Sequence, residues 1–169
     1  WTGGDIGGTG SSILAAGATF NYSAGTRSTA RRMDVQQGAT FSLDSGALTT
    51  TGGGTNAGVI NVAVGATTRY GGSASYLLDS TGQFDGGGRI EFINSAVVTS
   101  SSTAPLIADS TFTVRAQDSA RFTMTTPSSI ANLEVAGNAT VTAQSAFGSQ
   151  NVSLSGGTLT LNAGSQIGN

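Results

Sequence analysis

Apolar residues in this chain come two apart, in short runs, and almost nowhere at helical spacing. Phe20 and Tyr22 alternate with Thr19 and Asn21, and Phe41 and Leu43 with Thr40 and Ser42. Ile60, Val62 and Val64 follow, with Asn61 and Ala63 between them. Ile90/Phe92, Phe112/Val114, Phe122/Met124, Leu133/Val135, Val152/Leu154 and Leu159/Leu161 continue the pattern. A period of two places every apolar residue of a run on one face of a strand. Gly, Ser, Asn and Asp fill the gaps and supply turns. The best helical window, residues 28–37, has no continuous apolar stripe. The chain therefore reads as all-β with very short strands.

Runs this short fall below the roughly five to six residues usual in a sandwich strand. Internal repetition selects among the remaining β folds. Gly17-Ala18-Thr19-Phe20 recurs as Gly38-Ala39-Thr40-Phe41. Gly65-Ala66-Thr67 is a third copy, and Gly137-Asn138-Ala139-Thr140-Val141 a degenerate fourth. Self-similarity at a period of roughly 20 residues marks stacked coils. Composition agrees, since 26 Gly, 24 Thr, 22 Ser and 22 Ala fill 94 of 169 positions. Such small residues suit tight corners and a narrow interior, leaving Phe, Leu and Ile to fill the stacked core. Together these features predict one continuous domain over residues 1–169, a right-handed parallel β-helix with no significant helix. At roughly 20 residues per coil and ~4.8 Å between coils, it would have about eight coils and be about 40 Å long. Its end coils would be open sheet edges without a capping helix, so the stack is expected to continue into neighbouring chain.

Composition also excludes chemistry. Charged residues are 9%, all seven basic residues are Arg, and Lys, His and Cys are absent. Lack of Cys removes disulfides, thiol nucleophiles and thiolate metal ligands. Lack of His removes the commonest general base and metal ligand. Lack of Lys removes Schiff-base chemistry and the phosphate-loop lysine. A net charge of -2 with scattered Arg is no footprint for nucleic acid. Mean hydropathy of +0.04 with low net charge does not fit disorder. No window approaches the ~18 apolar residues of a membrane span, so no membrane insertion is expected.

Candidate sites weigh out as structural. Asp79, Asp85 and Glu91 are the nearest approach to the acidic cluster of a polysaccharide lyase or hydrolase, with Asp109 and Asp118 farther along. Acids this sparse read as turn and surface residues. Residues 52–57, Gly-Gly-Gly-Thr-Asn-Ala, fit G-x-G-x-x-A but lack the strand and helix flanks of a dinucleotide site. Residues 7–12 lack the Lys of a phosphate loop and the Asp of a calcium nonapeptide. Arg27, Arg31 and Arg32 form the one charge cluster, suited to an acidic glycan or, more simply, to pairing with Asp34 on a solvated face. Arg89, Glu91 and Arg115 are expected on outward faces. Thr-x-Thr occurs at Thr49/Thr51, Thr111/Thr113, Thr123/Thr125, Thr140/Thr142 and Thr158/Thr160. Ice binding would need these pairs to stack, and the starts of the last four, at Thr111, Thr123, Thr140 and Thr158, are unevenly spaced. Trp1, Tyr70 and Tyr76 are possible sugar platforms, with packing the simpler role. Sequons begin at Asn21, Asn138 and Asn151, a number that chance already supplies. The expectation is no catalytic residue, no cofactor and no metal.

The opening Trp1-Thr2-Gly3-Gly4-Asp5-Ile6-Gly7-Gly8-Thr9-Gly10 resembles the W-x-G-G-x-I-x-G-x-G start of long repeats in bacterial secreted surface proteins. Gly88-Arg89-Ile90-Glu91-Phe92, Ser129-Ile130-Ala131-Asn132-Leu133-Glu134-Val135 and the stretch from Val152 to Leu161 continue the likeness. The resemblance is to β-helix passengers of the autotransporter and filamentous-haemagglutinin kind. It implies an extracellular, non-enzymatic adhesin, stalk or filament on a bacterial surface, with neighbouring copies of itself as partners and glycans or host surfaces as ligands. Ser165-Gln166-Ile167-Gly168-Asn169 echoes Gly4-Asp5-Ile6-Gly7-Gly8, as expected of one long unit in a tandem array. The alternatives are a carbohydrate-binding or carbohydrate-cleaving β-helix and, third, an ice-binding solenoid.

Overall fold

The structure is a computed structural model and describes residues 7–102 and 110–168. All regular structure among these residues is β-strand, and every strand pairing is parallel. The pairings sort into three faces that the chain visits in rotation.

Face 1 stacks Ser11–Leu14, Arg32–Val35, Gly54–Asn56, Ser75–Leu78, Val97–Ser100 and Arg121–Met124. Residues 140–143 of Ser128–Ala143 and 158–161 of Phe147–Leu161 complete it. Face 2 begins with residues 19–22 of Thr19–Thr29 and 40–43 of Thr40–Thr50, then Val59–Val62 and Gln83–Asp85. It resumes with 128–130, 147–149 and Gln166–Ile167. Face 3 stacks 26–29, 47–50, Thr67–Tyr70, Arg89–Phe92, Thr113–Ala116, 132–135 and 151–154. This is the parallel β-helix that the alternation and repeats predict, with about 7 turns in place of eight. The coil count falls because some turns are long, as the one from Val97 to its partner Arg121. Some strands are also longer than the apolar runs suggest. Phe147–Leu161 is 15 residues because it bends around corners without leaving its ladder.

The alternation in the sequence becomes alternation of inside and outside. Inward columns run from turn to turn, for example Phe41, Ile60 and Phe84 on face 2 and Ile90, Val114 and Leu133 on face 3. These six side chains are at most 3% exposed. Aromatic rings stack along the axis, Phe20 on Phe41 at 5.5 Å, Tyr70 on Phe92 at 6.0 Å and Phe84 on Phe112 at 6.0 Å. Full burial of such a side chain contributes roughly 1.5–3 kcal/mol, so the core is one apolar rod continuous with the axis. Val64 departs from its expected place. The strand stops at Val62, and Val64 stands 82% exposed at the corner.

The Gly-Ala-Thr phrase marks corners and not a single register. The copies at Gly17 and Gly38 do stack, with Gly17 N donating to Gly38 O and Thr19 paired with Thr40. The copy at Gly65 leads into face 3, and the one at Gly137 into face 1. Each has a left-handed Gly that turns the chain and, in the last three, an Ala that enters the core at 0–1% exposure. The same corner chemistry therefore serves all three edges of the solenoid.

Candidate interaction surfaces

Few of the groups weighed in the sequence are free for chemistry. Arg31 is spent on the first turn, where Nε donates to Ser12 Oγ at 2.9 Å, NH2 to Ser11 O at 2.8 Å and NH1 to Gly7 O at 3.2 Å. The Gly-rich segment 7–12 is thus folded around a guanidinium, and a Cβ on Gly10 would lie 3.2 Å from it. Arg32 pairs with Asp34 at 2.8 Å, as the simpler reading expects, and also donates to Thr55 Oγ1 at 3.0 Å. Arg27 donates to its neighbour Thr26 O at 3.3 Å. Asp79 Oδ1 accepts from Ser80 N, and Asp85 Oδ1 from Gly86 N, each as a turn cap. Asp79, Asp85 and Glu91 belong to three different sides of the coil, and among the described residues no three acidic side chains cluster as a metal site would. Asp118 is left-handed at φ 61 and accepts from Asn94 N at 3.0 Å, Asn94 being left-handed too at φ 58. Trp1, Asp5 and Asp109 lie outside the described residues.

Tyr70 and Tyr76 point inward, at 7% and 5% exposure, with rings 4.6 Å apart. Tyr76 Oη lies 2.6 Å from Thr50 O and 2.9 Å from Gly71 O, so its one proton serves two carbonyls. Burial pushes both phenols up, Tyr70 strongly, with the neighbouring Tyr76 adding to it. Their role is core packing.

Face 3 carries a ladder of alternating charge. Register stacks Arg69, Glu91, Arg115 and Glu134 in one outward column, and Arg89 stands in the next column. Arg69 Nε meets Glu91 Oε2 at 2.6 Å, and Arg89 NH1 lies 3.6 Å from Glu91 Oε1. Arg89 NH2 reaches Glu134 Oε1 at 3.2 Å, two turns away, and Arg115 NH1 lies 3.7 Å from Glu134 Oε2. The outward placement of Arg89, Glu91 and Arg115 was legible, but the sequence reading did not link Glu134 to them. A signal existed, since all four column members sit between two inward residues, as in Ile90-Glu91-Phe92 and Leu133-Glu134-Val135. Solvent screens the exposed members, yet Glu91 is covered by the arginines and only 8% exposed.

Threonines stack despite their irregular spacing. Thr99, Thr123, Thr142 and Thr160 form one outward column on face 1 over four successive turns. The pairs Thr140/Thr142 and Thr158/Thr160 lie directly on each other. Corners absorb the unequal coil lengths, so irregular spacing is no bar to register. Thr49 and Thr113 belong to face 3, away from this column.

The ends of the described turns differ from the middle. Leu14 and Phe20 are half-covered at the first turn, beside a surface concavity of about 360 Å³. In the last turn Leu154 is 57% and Ile167 49% exposed, with Val152, Leu159 and Leu161 half-buried. After Glu134 the chain has no charged residue. No known family, curated protein or solved structure matches the chain.

Proposed function

We propose that this chain is a non-enzymatic, extracellular β-solenoid repeat of a bacterial surface protein, forming a stalk or self-assembling filament with neighbouring copies of itself. One observation carries the reading. Largely apolar inward columns emerge half-covered at both ends of the described turns, at Leu14 and Phe20 and at Leu159, Leu161 and Ile167. Elsewhere among the described residues the same column positions are largely covered by neighbouring parallel turns. The last turn has no charged residue, an uncharged sheet edge pairs readily with a further strand, and a head-to-tail joint of this type repeats without closing. Low charge and the absence of His, Lys and Cys suit an inert spacer. The bacterial-surface setting rests on the resemblance in the Gly-rich opening and the repeated phrases. Sedimentation of the full chain over a concentration series, with electron microscopy, tests the assembly. Lengthwise association should grow with concentration, and Leu161→Lys should suppress it by placing a charge on the edge. A monomer at every concentration overturns the filament.

Ice binding is the second reading, favoured by the Thr99–Thr123–Thr142–Thr160 column. Thermal hysteresis that Thr142→Lys abolishes would support it, and no hysteresis removes it.

A further inference from the structure

One inward column of face 1 runs Ser12, Met33, Gly54, Tyr76, Val98. It is interrupted at Gly54, where a Cβ would lie 1.9 Å from Met33 O. Met33 O fills the place a side chain would take, and beside Gly54 the core holds a cavity of about 20 Å³. Met33, Leu48 and Ile60 supply apolar wall, and Thr50, Asn56 and Thr68 also line it. Thr68 takes the inward position between Leu48 and Ile90, is 2% exposed, and its Oγ1 bonds to no protein atom. Buried hydroxyls are otherwise nearly always hydrogen-bonded.

We propose that this cavity is a binding site for a single water molecule held by Thr68. A water needs a space of about 10–15 Å³ and two to four polar partners. The volume suffices for one. Thr68 Oγ1 donates to it. Asn56 Nδ2 gives one N–H to Gln83 O at 3.3 Å and keeps a second. Thr50 Oγ1 donates to Arg69 O at 3.4 Å and retains lone pairs. The water thereby ties together strands 47–50, 54–56 and 67–70.

A high-resolution crystal structure of the full chain tests the site directly. A single density peak within hydrogen-bonding distance of Thr68 Oγ1 is expected, and a featureless cavity overturns the proposal. Thermal unfolding of Thr68→Val supplies an independent readout. With a water in place, the substitution removes one of its partners and Tm stays level or falls by about 2–4 °C. A Tm raised by that amount would mean a dry cavity with an orphaned hydroxyl, and would also overturn it.

Discussion

Three glycine-to-alanine substitutions separate the two reasons a β-helix needs glycine. At Gly25 nothing lies within 4 Å of an added Cβ and the backbone is outside the left-handed region. Gly25→Ala should be neutral or stabilise by about 0.4–1 kcal/mol, because the unfolded chain loses freedom. At Gly17 the space is equally open, but φ is +76. Gly17→Ala should cost about 1–2 kcal/mol, the ordinary penalty for an L side chain in that conformation. Gly54 combines φ +154 with a Cβ position 1.9 Å from Met33 O and 2.8 Å from Met33 C. Both obstacles are backbone of the preceding turn, so no rotamer change relieves them. Overpacking adds roughly 1–3 kcal/mol to the backbone strain, bringing Gly54→Ala to about 2–5 kcal/mol. Each kcal/mol lowers Tm by roughly 2–4 °C in a chain of this size. Thermal and urea unfolding of the three variants should rank Gly25→Ala above Gly17→Ala above Gly54→Ala. Equal losses at Gly17 and Gly54 would refute close packing between turns as a separate constraint.

The charge ladder gives a second test. Glu91→Gln leaves Arg69 without its nearest counter-charge, removes the second of Arg89's two, and should cost about 1.5–3 kcal/mol in urea unfolding, while Arg27→Gln should cost under ~0.5 kcal/mol. The tyrosines give a third. Their folded pKa values are raised, so the unfolded chain releases phenolic protons first, and stability intact below pH ~10 should fall as pH rises beyond it. Tyr70→Phe should flatten that alkaline decline in a pH series of melts, and an unchanged slope would contradict it. At the corner of face 1, Asp118→Ala loses the bond to Asn94 N and keeps the left-handed backbone. It should cost about 1–3 kcal/mol, and Asp118→Asn clearly less, by the same melts.

Much of this architecture was legible in the residues. Alternation at Phe41/Leu43 or Ile90/Phe92 announces strands with one buried face, because a side-chain period of two is a local property of extended backbone. The Gly-Ala-Thr phrases announce tight corners, since left-handed backbone followed by a small buried residue leaves little choice of sequence. Which corner a phrase would occupy was not legible. The copies at Gly38, Gly65 and Gly137 look alike and lead into three different faces. For the same reason Val64, in phase with Ile60 and Val62, is nonetheless exposed.

Strand character and an approximate coil length are thus written in the residues themselves. What meets what across turns belongs to the folded chain. Turns of unequal length, such as Thr142 to Thr160 and Val97 to Arg121, come into register because corners take up the difference. That adjustment aligns Thr99 with Thr123, Thr142 and Thr160, closes Arg69, Glu91, Arg89, Glu134 and Arg115 into one network, and brings Gly54 and Thr68 to the wall of one cavity. Apart from Arg89 with Glu91, each of these depends on contacts at least one whole coil apart along the chain. Linear spacing does not encode them, because parallel hydrogen bonding between turns sets their alignment.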